Sequence, residues 1–175
     1  MLRVVSLSPK ACPMTFRPSV VFAKFAAPAK GVVFVFLGED GKPGDKAALA
    51  DQAGVLARAV PAAGFTGKFG SVVEILAPEG GAFDRLVGVG VGKPATLDEH
   101  AWLKLGGIVA GALRDAAEAT VVLDVPGLPV GPRQAADLAA GVLLRSYRFD
   151  KYKKTRKDEA VDGERPKKPA KVAIQ

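Results

Sequence analysis

Gly31-Val32-Val33-Phe34-Val35-Phe36-Leu37 is apolar at every position after the glycine, and it runs into the turn-rich Gly38-Glu39-Asp40-Gly41-Lys42-Pro43-Gly44. A strand with one wet face alternates apolar and polar residues. An unbroken apolar run predicts a strand covered on both faces, the central-strand pattern of an α/β sheet. Upstream, Pro18 precedes a short β-rich run, Val20-Val21-Phe22. Downstream, Asp45 is a candidate N-cap for a helix over 46–60. Leu49, Ala53, Leu56 and Val60 share one face of that helix, and Pro61 and Gly64 close it. The runs 72–76 and 85–89 read as two strands around a hairpin loop, Pro78-Glu79-Gly80-Gly81.

Further along, Asp98 caps a helix reaching to about 117, with Trp102, Leu105, Val109, Leu113 and Ala116 as one apolar stripe. A strand over 120–125 ends at Pro126-Gly127. A last helix, 132–146, faces inward through Ala135, Leu138, Val142 and Leu143. The order β-β-α-β-β-α-β-α predicts an α/β fold, a mixed sheet flanked by helices. Residues 151–171 hold Lys, Arg, Asp, Glu, Pro and Gly with almost no large apolar group, the composition of a charged linker. Val172-Ala173-Ile174 then resumes as a strand without a partner of its own, and reads as the start of a missing second domain. The organisation expected is an extension over 1–17, a domain over 18–150, the linker, and that opening strand at 172–175. Met14 is a second plausible start after Met1, with the extension disordered.

The composition narrows the chemistry. The 175 residues are 49% apolar and 25% charged, enough for one packed domain. There is one Cys (Cys12), one His (His100), one Trp (Trp102) and no Asn. A disulfide within the chain is excluded. A Cys/His zinc site needs about three or four ligands, and only two such residues exist. Lys and Arg total 25 against 18 Asp and Glu. Residues 150–175 carry nine basic and five acidic groups, so a short tail supplies more than half of the +7 excess. Such a tail can attract phosphate, although Asp158, Glu159, Asp162 and Glu164 interrupt the run. No stretch approaches the roughly 18 apolar residues of a membrane span. The run at 4–7 is too short for a signal-peptide core, and a single Cys fits a reducing compartment, so the reading is cytoplasmic.

Candidate chemistry is thin. Gly88-Val89-Gly90-Val91-Gly92-Lys93 follows a strand and precedes a helix. The dinucleotide fingerprint needs Gly where Lys93 stands, and the P-loop needs Gly at Val87 and Ser or Thr at Pro94. Both templates fail. The glycines then read as a strand end turning beside a neighbour, with a nucleotide loop of macro-domain kind as the alternative. His100 lies in the first turn of the Trp102 helix, with no motif supplying a nucleophile and an orienting carboxylate. Cys12 has no local cause for a depressed pKa. Asp98-Glu99 and Asp158-Glu159 are neighbours that would point apart on a helix, so neither forms a two-metal site. Trp102 reads as core.

Ser146-Tyr147-Arg148-Phe149-Asp150-Lys151-Tyr152-Lys153 resembles the close of the N-terminal domain of leucyl (cytosol) aminopeptidases. Three further stretches are similar, in the family's order: Arg85 to Lys93, the helix with Trp102 and Leu105-Gly106-Gly107, and Ala136 to Leu144. The likeness covers roughly 18–175. It implies a macro-domain-like fold, and a parent peptidase that removes N-terminal residues with two divalent metal ions, such as manganese or zinc, in a hexamer. The family's catalytic and metal-binding groups lie in a C-terminal domain with an Asn-Thr-Asp-Ala-Glu-Gly-Arg segment, which this sequence lacks. The expectation is therefore a non-catalytic N-terminal domain, as fragment or truncated form, acting in assembly or substrate access. It has no catalytic or metal residue, no cofactor and no assigned ligand-binding residue of its own, and its partners would be other subunits and the missing catalytic domain. The alternatives are a macro-type module for a nucleotide or ADP-ribose, and nucleic-acid binding through the basic tail.

Overall fold

The described residues of this computed structural model are 18–28, 30–51, 53–147 and 170–175. In chain order they form β1 (Ser19–Phe22), β2 (Val32–Gly38), α1 (Asp45–Ala50), α2 (Val55–Ala62), β3 (Val72–Leu76), β4 (Arg85–Gly92), α3 (Glu99–Ala112), β5 (Glu118–Val122), α4 (Pro132–Ser146) and β6 (Lys171–Ile174). The strands make one sheet in the order β1-β6-β5-β2-β4-β3. Every neighbouring pair is parallel except β3 with β4, which are antiparallel. This is the mixed α/β sheet that the central apolar run and the hairpin predict.

All seven residues of β2 are buried. Val32, Phe34 and Phe36 enter the core shared with α3 and α4, and Val33, Val35 and Leu37 enter the core shared with α1 and α2. Side chains alternate between faces along a strand, so a strand with helices on both sides must be apolar throughout. In α3, Asp98 accepts a hydrogen bond from the Ala101 amide at 2.7 Å and Trp102, Leu105 and Val109 are buried. The Trp102 ring meets Phe36 edge-on, with centroids 6.2 Å apart and planes at 85°. α4 runs over the span expected and buries Leu138 and Val142.

Four expectations are corrected. The helix foreseen over 46–60 is two short ones. Asp51 ends the first, and its carboxylate accepts from the amides of Val55 and Leu56, both at 2.8 Å, while Gly54 turns through φ 62°. The stripe is broken there, so Leu49 is 59% exposed and Ala47 and Ala50 are the buried residues of α1. Leu143 is exposed, because the inward face of α4 is set by Leu138, Ala139 and Val142. The strand foreseen at 120–125 is shifted back to Glu118–Val122, since Asp124 leaves the ladder to bind α1.

The fourth concerns the end of the chain. Val172-Ala173-Ile174 has partners on both sides: β6 lies between β1 and β5, and Val172 and Ile174 are buried. A short apolar run beyond a polar stretch carries no sign that it returns to a slot in the same sheet. The extension at 1–17, with Cys12 and Met14, lies outside the described residues. So do the charged pair Asp158-Glu159, all but the last positions of the expected linker, and the aminopeptidase-like stretch from Arg148 onward.

Candidate functional site

In parallel α/β sheets ligands bind beyond the carboxyl ends of the strands, where loops and helix N-termini offer free amides. Here Gly88-Val89-Gly90-Val91-Gly92 reaches that end of β4. Its amides are used. Gly90 N donates to Ser71 O at 2.8 Å and Gly92 N donates to Gly67 O at 2.9 Å, while Gly70 N donates to Gly90 O at 2.9 Å. A Cβ at Gly90 would strike Ser71 and the main chain of 67–68, so glycine here admits the 67–71 loop onto β4. Phosphate recognition needs such N–H groups unspent.

The start of α1 is filled in the same manner. Asp124, at the end of the β5 ladder, accepts from the Lys46 amide at 2.8 Å, and a Cβ at Gly44 would meet its carboxylate. An anion at this turn would have to displace a carboxylate. The sequence gives one signal for Asp124, an acidic residue directly after an apolar strand, but the helix it serves is 78 positions away.

His100 is exposed in the first turn of α3, with no hydrogen bond or ion pair to its imidazole among the described residues. Neighbouring Glu99 pairs instead with Arg133 at 3.2 Å, on the surface. Trp102 is 2% exposed and belongs to the core. Asp98 is a helix cap. Among the described residues, no three His, Cys, Asp or Glu side chains are grouped so as to hold a metal ion. There is thus, among the described residues, no side-chain group that would hold the two metal ions which the aminopeptidase resemblance implies for the parent enzyme.

A cleft of about 590 Å³ opens at the opposite, amino end of β2, β4 and β5. Lys30, Arg85, Arg114 and Glu118 line it. Asp84 and Asp115 line it as well, so the lining carries three charges of each sign. Lys30 pairs with Glu118 at 3.0 Å, and Glu74, not itself in the lining, receives Arg85 at 2.7 Å and Arg114 at 2.9 Å. Arg85 also donates to the Leu113 carbonyl at 3.0 Å, holding the end of α3 to the sheet. Sequence reading assigned nothing to this group. Its one signal is a lone Glu inside Val72-Val73-Glu74-Ile75-Leu76.

Residues 32–156 match the cytosol aminopeptidase family, N-terminal domain. The chain belongs to that family, as its N-terminal domain. It is 50% identical over 146 residues to a protein of Chelativorans sp. named "Probable cytosol aminopeptidase", covering 83% of this chain and 29% of the relative. To the corresponding protein of Rhizobium etli it is 41% identical over 161 residues, covering 92% and 32%. The chain therefore spans about 30% of the length of these relatives. Among solved structures, a tomato leucine aminopeptidase mutant superposes with a TM-score of 0.65 at 19% identity, over 94% of this chain and 33% of that one. The bottromycin maturation enzyme BotP, in complex with Mn, gives 0.56 at 19% identity over 82% and 26%. These two support the fold. No helix among the described residues is long and apolar enough to cross a membrane.

Proposed function

We propose that this domain is a non-catalytic part of a two-metal leucyl aminopeptidase, acting in subunit arrangement or substrate access rather than in peptide cleavage. The observation that carries the reading is the match of 32–156 to the family's N-terminal domain, together with coverage of less than a third of each relative. The side chains available agree with it. Among the described residues the imidazole of His100 has no partner to orient it, and the clustered charges of the cleft neutralise one another. The metal ions, the catalytic groups and a hexameric assembly belong in this reading to the parent enzyme, and the name cytosol aminopeptidase carried by the relatives supports a cytoplasmic setting.

The test is hydrolysis of leucyl-p-nitroanilide by the purified 175-residue chain with Mn²⁺ or Zn²⁺. No turnover above a metal-only control is expected. Metal-dependent turnover that survives removal of contaminating peptidases would refute the reading.

A further inference from the structure

β3 is the outer strand at one end of the sheet, and its hydrogen bonding has a definite phase. Ser71 O accepts from Gly90 N at 2.8 Å and Ala77 N donates to Asp84 O at 2.9 Å. In the same register Val73 lies opposite Gly88 and Ile75 opposite Leu86. In an antiparallel ladder every second residue turns its main-chain groups to the partner. Positions 71, 73, 75 and 77 turn theirs to β4, so Val72, Glu74 and Leu76 turn theirs outward. No described strand meets that edge.

The side chains of the same three residues share one sheet face. Val72 is 45% exposed and Leu76 is 67% exposed. Sheet edges are ordinarily blocked by Lys, Pro, a bulge or an unpaired inward charge. Val72–Leu76 contains neither Lys nor Pro and pairs with β4 without a register shift. Its single charge, Glu74, is held between Arg85 and Arg114.

We propose that this edge is a twofold interface between two copies of the chain, β3 pairing antiparallel with its counterpart about Glu74. That register sets Val72 opposite the partner's Leu76, and Leu76 opposite the partner's Val72, so each exposed apolar side chain covers the other. The outward N–H and C=O groups of all three positions are then satisfied in both copies. Facing glutamates would repel across a bare strand pair. Here two carboxylates meet among four guanidiniums, Arg85 and Arg114 of each copy, and Arg114, 64% exposed, has room to bridge. A one-residue slip points the main-chain groups of one strand away from the other, and a two-residue slip leaves an apolar residue of each copy uncovered. The contact is isologous, and closed at two copies. It deepens the assembly reading above by naming a surface. Its test reads mass and cross-linking while parentage is read by hydrolysis, so failure of one leaves the other standing.

A contact of so few residues is weak, so sedimentation of the full chain should pass from 18.1 kDa toward twice that mass between micromolar and millimolar concentration. Val72→Lys with Leu76→Lys, at exposed positions, should keep the melting temperature and abolish the dimer. In a Cys12→Ser background, the double variant Val72→Cys, Leu76→Cys should form a disulfide-linked dimer on mild oxidation. Each single cysteine variant should not, because like positions then lie about 13 Å apart. A monomer at millimolar concentration, a dimer indifferent to the two lysines, or single variants that cross-link as readily as the double would overturn the proposal.

Discussion

Gly106 of α3 and Gly141 of α4 face each other where the two helices cross, so closely that a Cβ on Gly106 would strike the Leu138 carbonyl and one on Gly141 the Leu103 carbonyl. The helices meet main chain to main chain at this point, which lets Leu105, Val109, Leu138 and Val142 fill the space against the sheet. Gly106→Ala or Gly141→Ala should therefore destabilise the domain by about 1–3 kcal/mol, although alanine is the better helix former. Gly107→Ala, where nothing lies within contact range, should be neutral or slightly stabilising. Urea unfolding of the three variants checks the contrast.

Asp124→Ala removes the acceptor for the Lys46 amide and frees the first turn of α1. The expected cost is that of losing a helix cap, about 0.5–2 kcal/mol. Asp124→Asn keeps an acceptor oxygen and should recover most of it. If phosphate or ADP-ribose bound the Ala variant but not the wild type in a thermal-shift titration, the carboxylate would be acting as a plug.

Glu74 carries two arginines of different worth. The Arg85 side chain is 15% exposed and spans from Glu74 to the end of α3, whereas Arg114 is 64% exposed. Exposed pairs contribute little, so Arg114→Ala should cost less than about 1 kcal/mol. Glu74→Ala leaves the Arg85 guanidinium half-paired in a shielded place and should cost about 1–3 kcal/mol. Chemical denaturation resolves that difference, and added salt should narrow the Arg114 effect more than the Glu74 effect.

Ile174 is 2% exposed in a strand that holds β1 to the rest of the sheet. Ile174→Ala should destabilise by about 2–5 kcal/mol, the range for a large core truncation, despite lying next to the last residue. Val21→Ala, on the adjoining strand but 41% exposed, should cost far less. A thermal melt of each variant is sufficient.

The parts of the fold legible in the sequence were those in which one residue pattern has one physical solution. Six consecutive apolar positions from Val32 fit only a strand buried on both faces, and the Trp102 stripe behind the cap Asp98 fits only an inward helix. The misreadings have local or topological causes. Leu49 is in phase with Leu56 on paper, but the helix stops at Ala50, and the Asp51 carboxylate accepts from the amides of Val55 and Leu56 at the start of a second one. The placement of Val172 and Ile174 depends on a slot that β1 and β5 create together, and no periodicity encodes which strands are neighbours. The Glu74 network was illegible for the same reason. Arg85 and Arg114 reach one carboxylate from different elements, 11 and 40 positions away in sequence.

Ser19 pairs with Lys171, and Phe22 with Ile174, so the first and the last of the described strands are neighbours. On a ribosome the chain grows at about 5–20 residues per second, which leaves the early strand exposed for roughly 8–30 s before its mate is made. During that interval β2, β4 and β5 can already assemble, with an apolar ribbon waiting at the margin. Sequences that slow translation between the two, or chaperones that shield Val20-Val21-Phe22, would then govern yield without altering a single contact of the finished molecule.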